Sequence, residues 1–256
     1  MRLATWNVNS IRIRLDRLLR FLERSKPDVV CLQELKSEEG SFPFAPLKSA
    51  GYEALVLGQK TYNGVAILAR TLPEEVGRGF EDGSDDPQAR FLAARIGGTT
   101  VASVYVPNGS EVGSEKWAYK LDWMAGLRGW LDRRAGPDAP LALCGDFNVA
   151  PDERDVCDPK AWASTVLFHP EARRALARVT EFGLEDVFRR HHTEAGLYTW
   201  WDYRMLGFPK NQGLRIDHVL ATAPLALRSV SATIDRDERK GEQPSDHAPV
   251  LVDFSD

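Results

Sequence analysis

The stretch from Leu141 to Asn148, Leu-Ala-Leu-Cys-Gly-Asp-Phe-Asn, does most to constrain this chain, because an apolar run passes straight into an acid and an amide. Four consecutive apolar residues read as a buried strand, and Gly145 is expected to bend the backbone where the core ends. If the chain stays extended past that glycine, period-two alternation puts Asp146 and Asn148 on one side and turns Phe147 back into the core. A carboxylate and an amide converging on one volume can hold a water, Asp146 taking its proton and Asn148 fixing its direction. The same residues also read as a turn, each polar side chain bonding local backbone. The other apolar runs bear on the choice, since many of them end in the same kind of residue.

Leu3 to Trp6 reads as a strand ending in Asn7, Val8 and Asn9. A helical pattern follows over Arg14 to Arg24, with Leu15, Leu18, Leu19, Phe21 and Leu22 set against Arg12, Arg14, Arg17, Arg20 and Arg24. A solvated helix face is one use for those arginines; Arg12 and Arg14, nearest the strand end, are also placed to meet phosphate. Asp28 to Leu32 is an apolar strand that finishes in Gln33 and Glu34. Tyr52–Leu57 and Gly64–Leu68 read as strands, and Glu81 to Asp86 as an exposed acidic loop. Phe91–Ile96 and Thr100–Val106 flank Gly97-Gly98, a hairpin signal, and the second arm ends in Tyr105-Val106-Pro107-Asn108. Glu115 to Arg134 carries an apolar helical face of Trp117, Leu121, Trp123, Met124, Leu127, Trp130 and Leu131. Val149 to Pro170 is irregular, and helical patterns follow at Glu171–Glu181 and around Leu184–His191. Strands are expected at Arg215–Leu220, Leu227–Ile234 and Pro249–Phe254, the last preceded by Ser245-Asp246-His247. Alternating strands and helices with hairpins imply an α/β layered domain with mixed, mostly antiparallel sheets and helices outside.

The 256 residues show no linker and no repeat, so one domain over 1–256 is expected. No run approaches the roughly 20 apolar residues of a membrane span and no signal peptide is visible, which points to a soluble, cytoplasmic protein. Cys31 and Cys144 lie in apolar runs and read as core residues; Cys157 lies in a polar loop. The formal net charge of −4 does not exclude a polyanionic partner, because an acidic metal site would account for much of the excess.

The polar residues at strand ends are Asn7, Glu34, Tyr105, Asn108, Asp146, Asn148, Asp217, Asp246 and His247. Carboxylates gathered in one cleft repel one another unless a cation joins them. The ligands are hard oxygens without paired Cys or His, which favours Mg²⁺, with Mn²⁺ as substitute, over Zn²⁺. Glu34 is the leading ligand, with Asn7 and Asp246 beside it. Asp217, on another strand, can fix the tautomer of His247 and favour its imidazolium, leaving the other ring nitrogen for a phosphoryl oxygen. His169, His191, His192 and His218 read as ordinary surface or core histidines.

Trp6-Asn7-Val8-Asn9, Leu32-Gln33-Glu34, Tyr105-Val106-Pro107-Asn108, Gly145-Asp146-Phe147-Asn148, Leu214-Arg215-Ile216-Asp217 and Ser245-Asp246-His247 resemble, in order, the motif set of the exonuclease III family. These are bacterial apurinic/apyrimidinic endonucleases of the endonuclease/exonuclease/phosphatase superfamily. The block Tyr198-Thr199-Trp200-Trp201-Asp202-Tyr203-Arg204 separates this branch from sphingomyelinases and inositol polyphosphate phosphatases. The resemblance implies a four-layered α/β sandwich, two sheets face to face with helices outside, and a site at one end. It implies Mg²⁺-dependent cleavage of the phosphodiester 5′ to an abasic site in double-stranded DNA, leaving a 3′ hydroxyl, with 3′ to 5′ exonuclease and 3′ phosphatase activity, by a monomer.

Carried over by residue, Glu34 is the metal ligand with Asn7 and Asp246 close to it, and Asp146, Asn148 and His247 also face the cation. Asp146 activates or orients water, Asn148 positions it, Tyr105 and Asn108 contact phosphate, and Asp217 holds His247 on a non-bridging oxygen. Trp200, Leu214 and Ile216 fall where the family builds its pocket for the extruded sugar. Leu214 stands where animal members have tryptophan. Arg12 and Lys210, with Asn211 and Gln212, are candidate DNA contacts. Gly109 to Lys116 carries Glu111 and Glu115 where a basic DNA-inserting loop is expected, and Val149 to Pro170 is acidic at Asp152, Glu153, Asp155 and Asp158. Two other readings compete with a repair nuclease: a phosphatase acting on a small phosphorylated molecule, and a binding module that has kept the fold. The Trp200 block weighs against the first and the intact set of carboxylates against the second.

Overall fold

The computed structural model describes residues 1–80 and 86–255. Its strands are β1 (Arg2–Asn7), β2 (Val29–Gln33), β3 (Glu53–Leu57), β4 (Val65–Ala69), β5 (Glu74–Arg78), β6 (Phe91–Ile96), β7 (Thr99–Tyr105), β8 (Leu141–Asp146), β9 (Leu184–Asp186), β10 (Asp217–Thr222), β11 (Ser229–Ile234) and β12 (Val250–Phe254). They form two six-stranded sheets, ordered β11-β12-β1-β2-β4-β3 and β5-β6-β7-β8-β10-β9. β1 pairs with β2 in parallel, and so does β7 with β8; the remaining pairs are antiparallel. Each parallel pair is joined through a crossover helix, Ile11–Ser25 in one sheet and Glu115–Arg134 in the other.

Alternation along the strands builds the layers. Leu3, Val29 and Cys31 of the first sheet meet Val101, Ala142 and Cys144 of the second in one buried cluster. Their neighbours Ala4, Trp6 and Val30 point the other way, onto Ile11, Leu18 and Phe21 of the first crossover helix. Ala102, Val104, Leu141 and Leu143 likewise turn to Trp123, Met124, Leu127 and Trp130. The result is helix, sheet, sheet, helix, the four-layered sandwich that the family resemblance implies.

Some local expectations need correction. The first helix begins at Ile11 rather than Arg14. β5 was not anticipated, because an edge strand that is mostly exposed carries little apolar signal. The helical pattern at Leu184–His191 divides into β9 and a helix over Val187–His191, and Leu227–Ile234 enters its strand only at Ser229. The irregular stretch holds a 3₁₀ turn, Glu153–Asp155, and a short helix, Pro159–Trp162. The acidic loop Glu81–Asp86 lies outside the described residues except for Asp86, which accepts a hydrogen bond from the Tyr119 hydroxyl at 2.8 Å.

Gly145 has a different purpose from the bend assigned to it. It sits inside β8, and a Cβ there would lie 1.8 Å from the Val104 carbonyl oxygen of β7. Glycine lets the two central strands approach.

Candidate active site

Register lines up the first half of the site. Tyr105 is paired with Asp146 in the parallel β7–β8 ladder, and Asp146 with Asp217 in the antiparallel β8–β10 ladder. Three side chains thus end in one row across the second sheet. From the first sheet, Asn7 and Glu34 close on that row: Asn7 Nδ2 donates to Glu34 Oε1 at 2.9 Å and to Asp146 Oδ2 at 3.0 Å. The Arg90 guanidinium lies 4.6 Å over the Tyr105 ring centre. Burial, then the charges of Glu34 and Asp146, push the Tyr105 hydroxyl well above its usual pKa, so it is a donor.

Beyond Asp146 the chain turns instead of continuing extended. Asn148 has φ 49°, and its N–H donates to Asp146 Oδ1 at 2.9 Å, so the turn reading of Gly-Asp-Phe-Asn holds for the backbone. Phe147 is fully buried, as alternation required. The two polar side chains nonetheless converge, Asn148 Nδ2 reaching Asp146 Oδ2 at 3.2 Å and the Val106 carbonyl at 3.0 Å. Asn108 Nδ2 donates to Asn148 Oδ1 at 3.1 Å.

His247 completes the row. Its Nδ1 lies 2.9 and 3.1 Å from the Asp217 carboxylate oxygens, and its Nε2 3.7 Å from Asp146 Oδ2. Burial disfavours the imidazolium, but the charges of Asp217 and Asp146 outweigh it and raise His247 to about 10. Burial pushes Asp146 up, to about 7, against the pull of His247. The motif is tied to β1, since Ser245 Oγ donates to the Asn7 carbonyl at 2.7 Å and Trp6 Nε1 to the His247 carbonyl at 3.1 Å. Thr199 Oγ1 accepts from the N–H groups of Ile216 and Asp217, both at 3.1 Å, and fixes the start of β10.

Among the described residues, Glu34, Asp146 and His247 bring potential ligand atoms within 4.8 Å of one another. Carboxylate oxygens so close suit a hard divalent cation. Two of the residues expected to face the cation present hydrogens instead. The Asn7 amide turns its N–H end between two anions, and the Asn148 oxygen is taken by Asn108. The Glu34 and Asp146 oxygens remain. Asp246 stands behind them: Oδ1 accepts from Asn9 Nδ2 at 2.8 Å and Oδ2 from Trp200 Nε1 at 3.0 Å. Burial would raise Asp246, but His247 and these donors hold it below the usual carboxylate range.

Trp201 is fully buried, whereas Trp200 is partly exposed with the Trp162 ring edge-on 6.1 Å away. Leu214 and Ile216 are buried, so they back Trp200 and offer no open surface themselves. Arg12 and Lys210 are exposed, while Arg14 is used internally, donating to the Asn9 and Pro244 carbonyls. An open groove of about 590 Å³ runs out from Tyr105 and Asn108 past Gln59, Asn63, Gln88 and Arg90.

The profile of the endonuclease/exonuclease/phosphatase family matches residues 4–247. The chain belongs to that family. It is 36% identical to the exodeoxyribonuclease III of Haemophilus influenzae over 99% of this chain and 100% of that protein. An AP endonuclease from Archaeoglobus fulgidus superposes with a TM-score of 0.97 at 40% identity, with both chains fully covered. A 3′ phosphatase from Neisseria bound to a product DNA hairpin gives 0.95 at 40% identity, covering all of this chain and 99% of the other.

Three residues around this endonuclease/exonuclease/phosphatase site escaped the sequence reading. Lys120 is buried, and its ammonium donates to the carbonyls of Asn108 (3.0 Å), Asn148 (2.7 Å) and Val166 (2.7 Å). Burial pulls it down to about 7 and Asp146 opposes; three acceptors need all three N–H bonds of the protonated amine. Its signal was present, since it falls between Trp117 and Trp123 on the apolar helix face. Arg215, buried, pairs with Asp155 (2.7 Å) and Asp186 (2.7 Å), and Arg189 also pairs with Asp155. Asp152 and Asp158 cap the two short turns, so three of the acids in the 149–170 stretch are engaged structurally. Lys36, two residues beyond Glu34, is the third.

Proposed function

We propose that this chain is a Mg²⁺-dependent DNA repair nuclease that hydrolyses the phosphodiester 5′ to an abasic site and leaves a 3′ hydroxyl. The same centre also removes nucleotides and phosphate from 3′ ends of duplex DNA. One observation carries the reading: Tyr105, Asp146, Asp217 and His247 stand in one buried row against Asn7 and Glu34, in a chain that matches DNA-cleaving relatives from end to end. When bound, the cation supplies positive charge for the developing negative charge on the phosphoryl and leaving oxygens. Asp146 accepts a proton from the attacking water, and the Asn148 and Asn7 amides hold the Asp146 carboxylate in place. The water oxygen joins phosphorus as the bond to the 3′ oxygen breaks. His247, protonated on both nitrogens and braced by Asp217, donates to a non-bridging oxygen, as does the Tyr105 hydroxyl. Trp200 walls the position of the abasic sugar, and the groove past Gln59 and Arg90 takes the flanking strand. The chain acts as one domain over 1–256, as a monomer in the cytoplasm; among the described residues no helix is long and apolar enough to cross a membrane.

A duplex carrying one tetrahydrofuran abasic analogue, beside an undamaged control, tests the proposal with Mg²⁺ and with EDTA. Incision at the analogue only with Mg²⁺, leaving a 3′ end that a polymerase extends, is the expected result. An uncut analogue under both conditions overturns the abasic specificity, and cleavage undiminished in EDTA overturns the metal dependence.

A further inference from the structure

Lys36 has the most specific placement of any side chain not yet given a role. Its Nζ lies 3.0 Å from Glu34 Oε2 and 2.5 Å from Asn9 Oδ1. The other Glu34 oxygen is already engaged by Asn7, and Asn9 in turn donates to Asp246. Lys36 and Asn9 therefore bridge two carboxylates, Glu34 and Asp246, with an ammonium against the one Glu34 oxygen that Asn7 leaves over.

The backbone holds this arrangement in place. Glu34 and Lys36 both adopt left-handed conformations, φ 52° and 50°, which side-chain-bearing residues enter only when their surroundings demand it. Ser10 N–H donates to the Glu34 carbonyl at 2.8 Å, Leu35 N–H to Gly64 at 3.1 Å and Lys36 N–H to Asn63 at 2.9 Å. The segment is pinned on one side by the β1–helix turn and on the other by the turn before β4. The lysine side chain is 29% exposed and that of Glu34 19%, so the pair is partly shielded from solvent screening.

We propose that the Lys36 ammonium competes with the divalent cation for Glu34 Oε2, so that Lys36 sets how tightly the cation is held. The inference rests on Glu34 being a cation ligand. A dication approaching Glu34 must either displace the ammonium from that oxygen or bind beside a like charge, and both lower its affinity. Asn9 Oδ1 remains a partner for the displaced lysine.

The test is Mn²⁺ binding to the full chain without DNA, by titration calorimetry and by the electron paramagnetic resonance of free Mn²⁺. Lys36→Met should bind about fivefold tighter than the natural chain, and Lys36→Arg, which keeps the charge, should stay within about twofold. Glu34→Gln should bind about tenfold weaker or worse. A Lys36→Met protein that binds Mn²⁺ no tighter, or more weakly, while Glu34→Gln weakens binding, overturns the competition and leaves Glu34 as ligand. Binding that Glu34→Gln does not change overturns the cation reading of Glu34 and the competition with it. Should Lys36→Met not fold, the ¹⁵Nζ resonance of Lys36 in the natural chain decides. Mg²⁺ should shift that signal and speed its hydrogen exchange, and a signal unmoved by saturating Mg²⁺ overturns the proposal.

Discussion

Replacing Asp217 by asparagine isolates the charge that keeps His247 protonated. Both side chains are buried, and the Asp217 oxygens lie 2.9 and 3.1 Å from Nδ1. Asp146 remains in the variant, 3.7 Å from Nε2, and so does Asp246, so one of three nearby anions is lost. A hydrogen bond to a charged group contributes about 1.5–3 kcal/mol. At about 1.36 kcal/mol per pH unit, His247 should fall by about one to two units from its value of about 10. The sign for stability follows from a pKa raised on folding. The contribution is fully present below the unfolded value near 6.5, and it is lost as pH climbs through about 10. In Asp217→Asn the contribution is smaller and is exhausted at a lower pH, so the variant's Tm should lie below the natural protein's at neutral pH and the gap should close as pH climbs through about 10. The assay is a ¹H NMR titration of the His247 ring, with the alkaline limb of kcat/KM followed in parallel. An unchanged His247 titration in Asp217→Asn refutes the assignment of that carboxylate as the source of the charge.

Asp146→Asn should lower hydrolysis by about 10²–10⁴-fold. Its Tm at pH 8 should not fall, because an acid raised to about 7 by burial costs stability at pH values above its unfolded value near 3.8; a marked drop in a melting curve would contradict this. Gly145→Ala forces a Cβ to within 1.8 Å of the Val104 oxygen, so it should cost about 3 kcal/mol in denaturant unfolding and spread Tyr105 from Asp146. An unshifted midpoint would show that β7 and β8 have room to part. Lys120→Met orphans the Asn108, Asn148 and Val166 carbonyls, for a loss on the order of 3–5 kcal/mol and a lower kcat. A variant as stable as the natural chain would mean that water replaces the ammonium.

Strand ends were legible because burial and chemistry change over within two residues there, as at Leu32-Gln33-Glu34 and Val219 back to Asp217. The layering of mixed sheets under helices was legible because alternating apolar residues such as Leu3 and Ala4 must find two different partners, whereas the four-layered sandwich followed from the family resemblance. What the pattern could not convey was how polar groups divide among partners. Asn7 and Asn148 read equally well as oxygen donors to a cation, and only the approach of two carboxylates and of Asn108 decides which end of each amide faces inward. Lys120 and Arg215 stayed hidden for a related reason. A buried cation looks like an interruption of an apolar face until the carbonyls or acids it neutralises come from distant segments, 46 residues away at Val166 and 60 at Asp155.

β1 lies between β2, which follows it closely in the chain, and β12, which comes last. Asn7 and Trp6 are likewise joined to Ser245 and His247, more than 230 positions later. A growing polypeptide has Glu34, Tyr105 and Asp146 in hand long before the residues that brace and protonate the site exist. Its first strand waits with one edge open for a partner not yet made. A nascent or C-terminally clipped chain would carry most of the acidic residues with β1 unpaired on one edge, and the row that includes His247 is complete only when β12 and the Ser245–His247 segment reach β1.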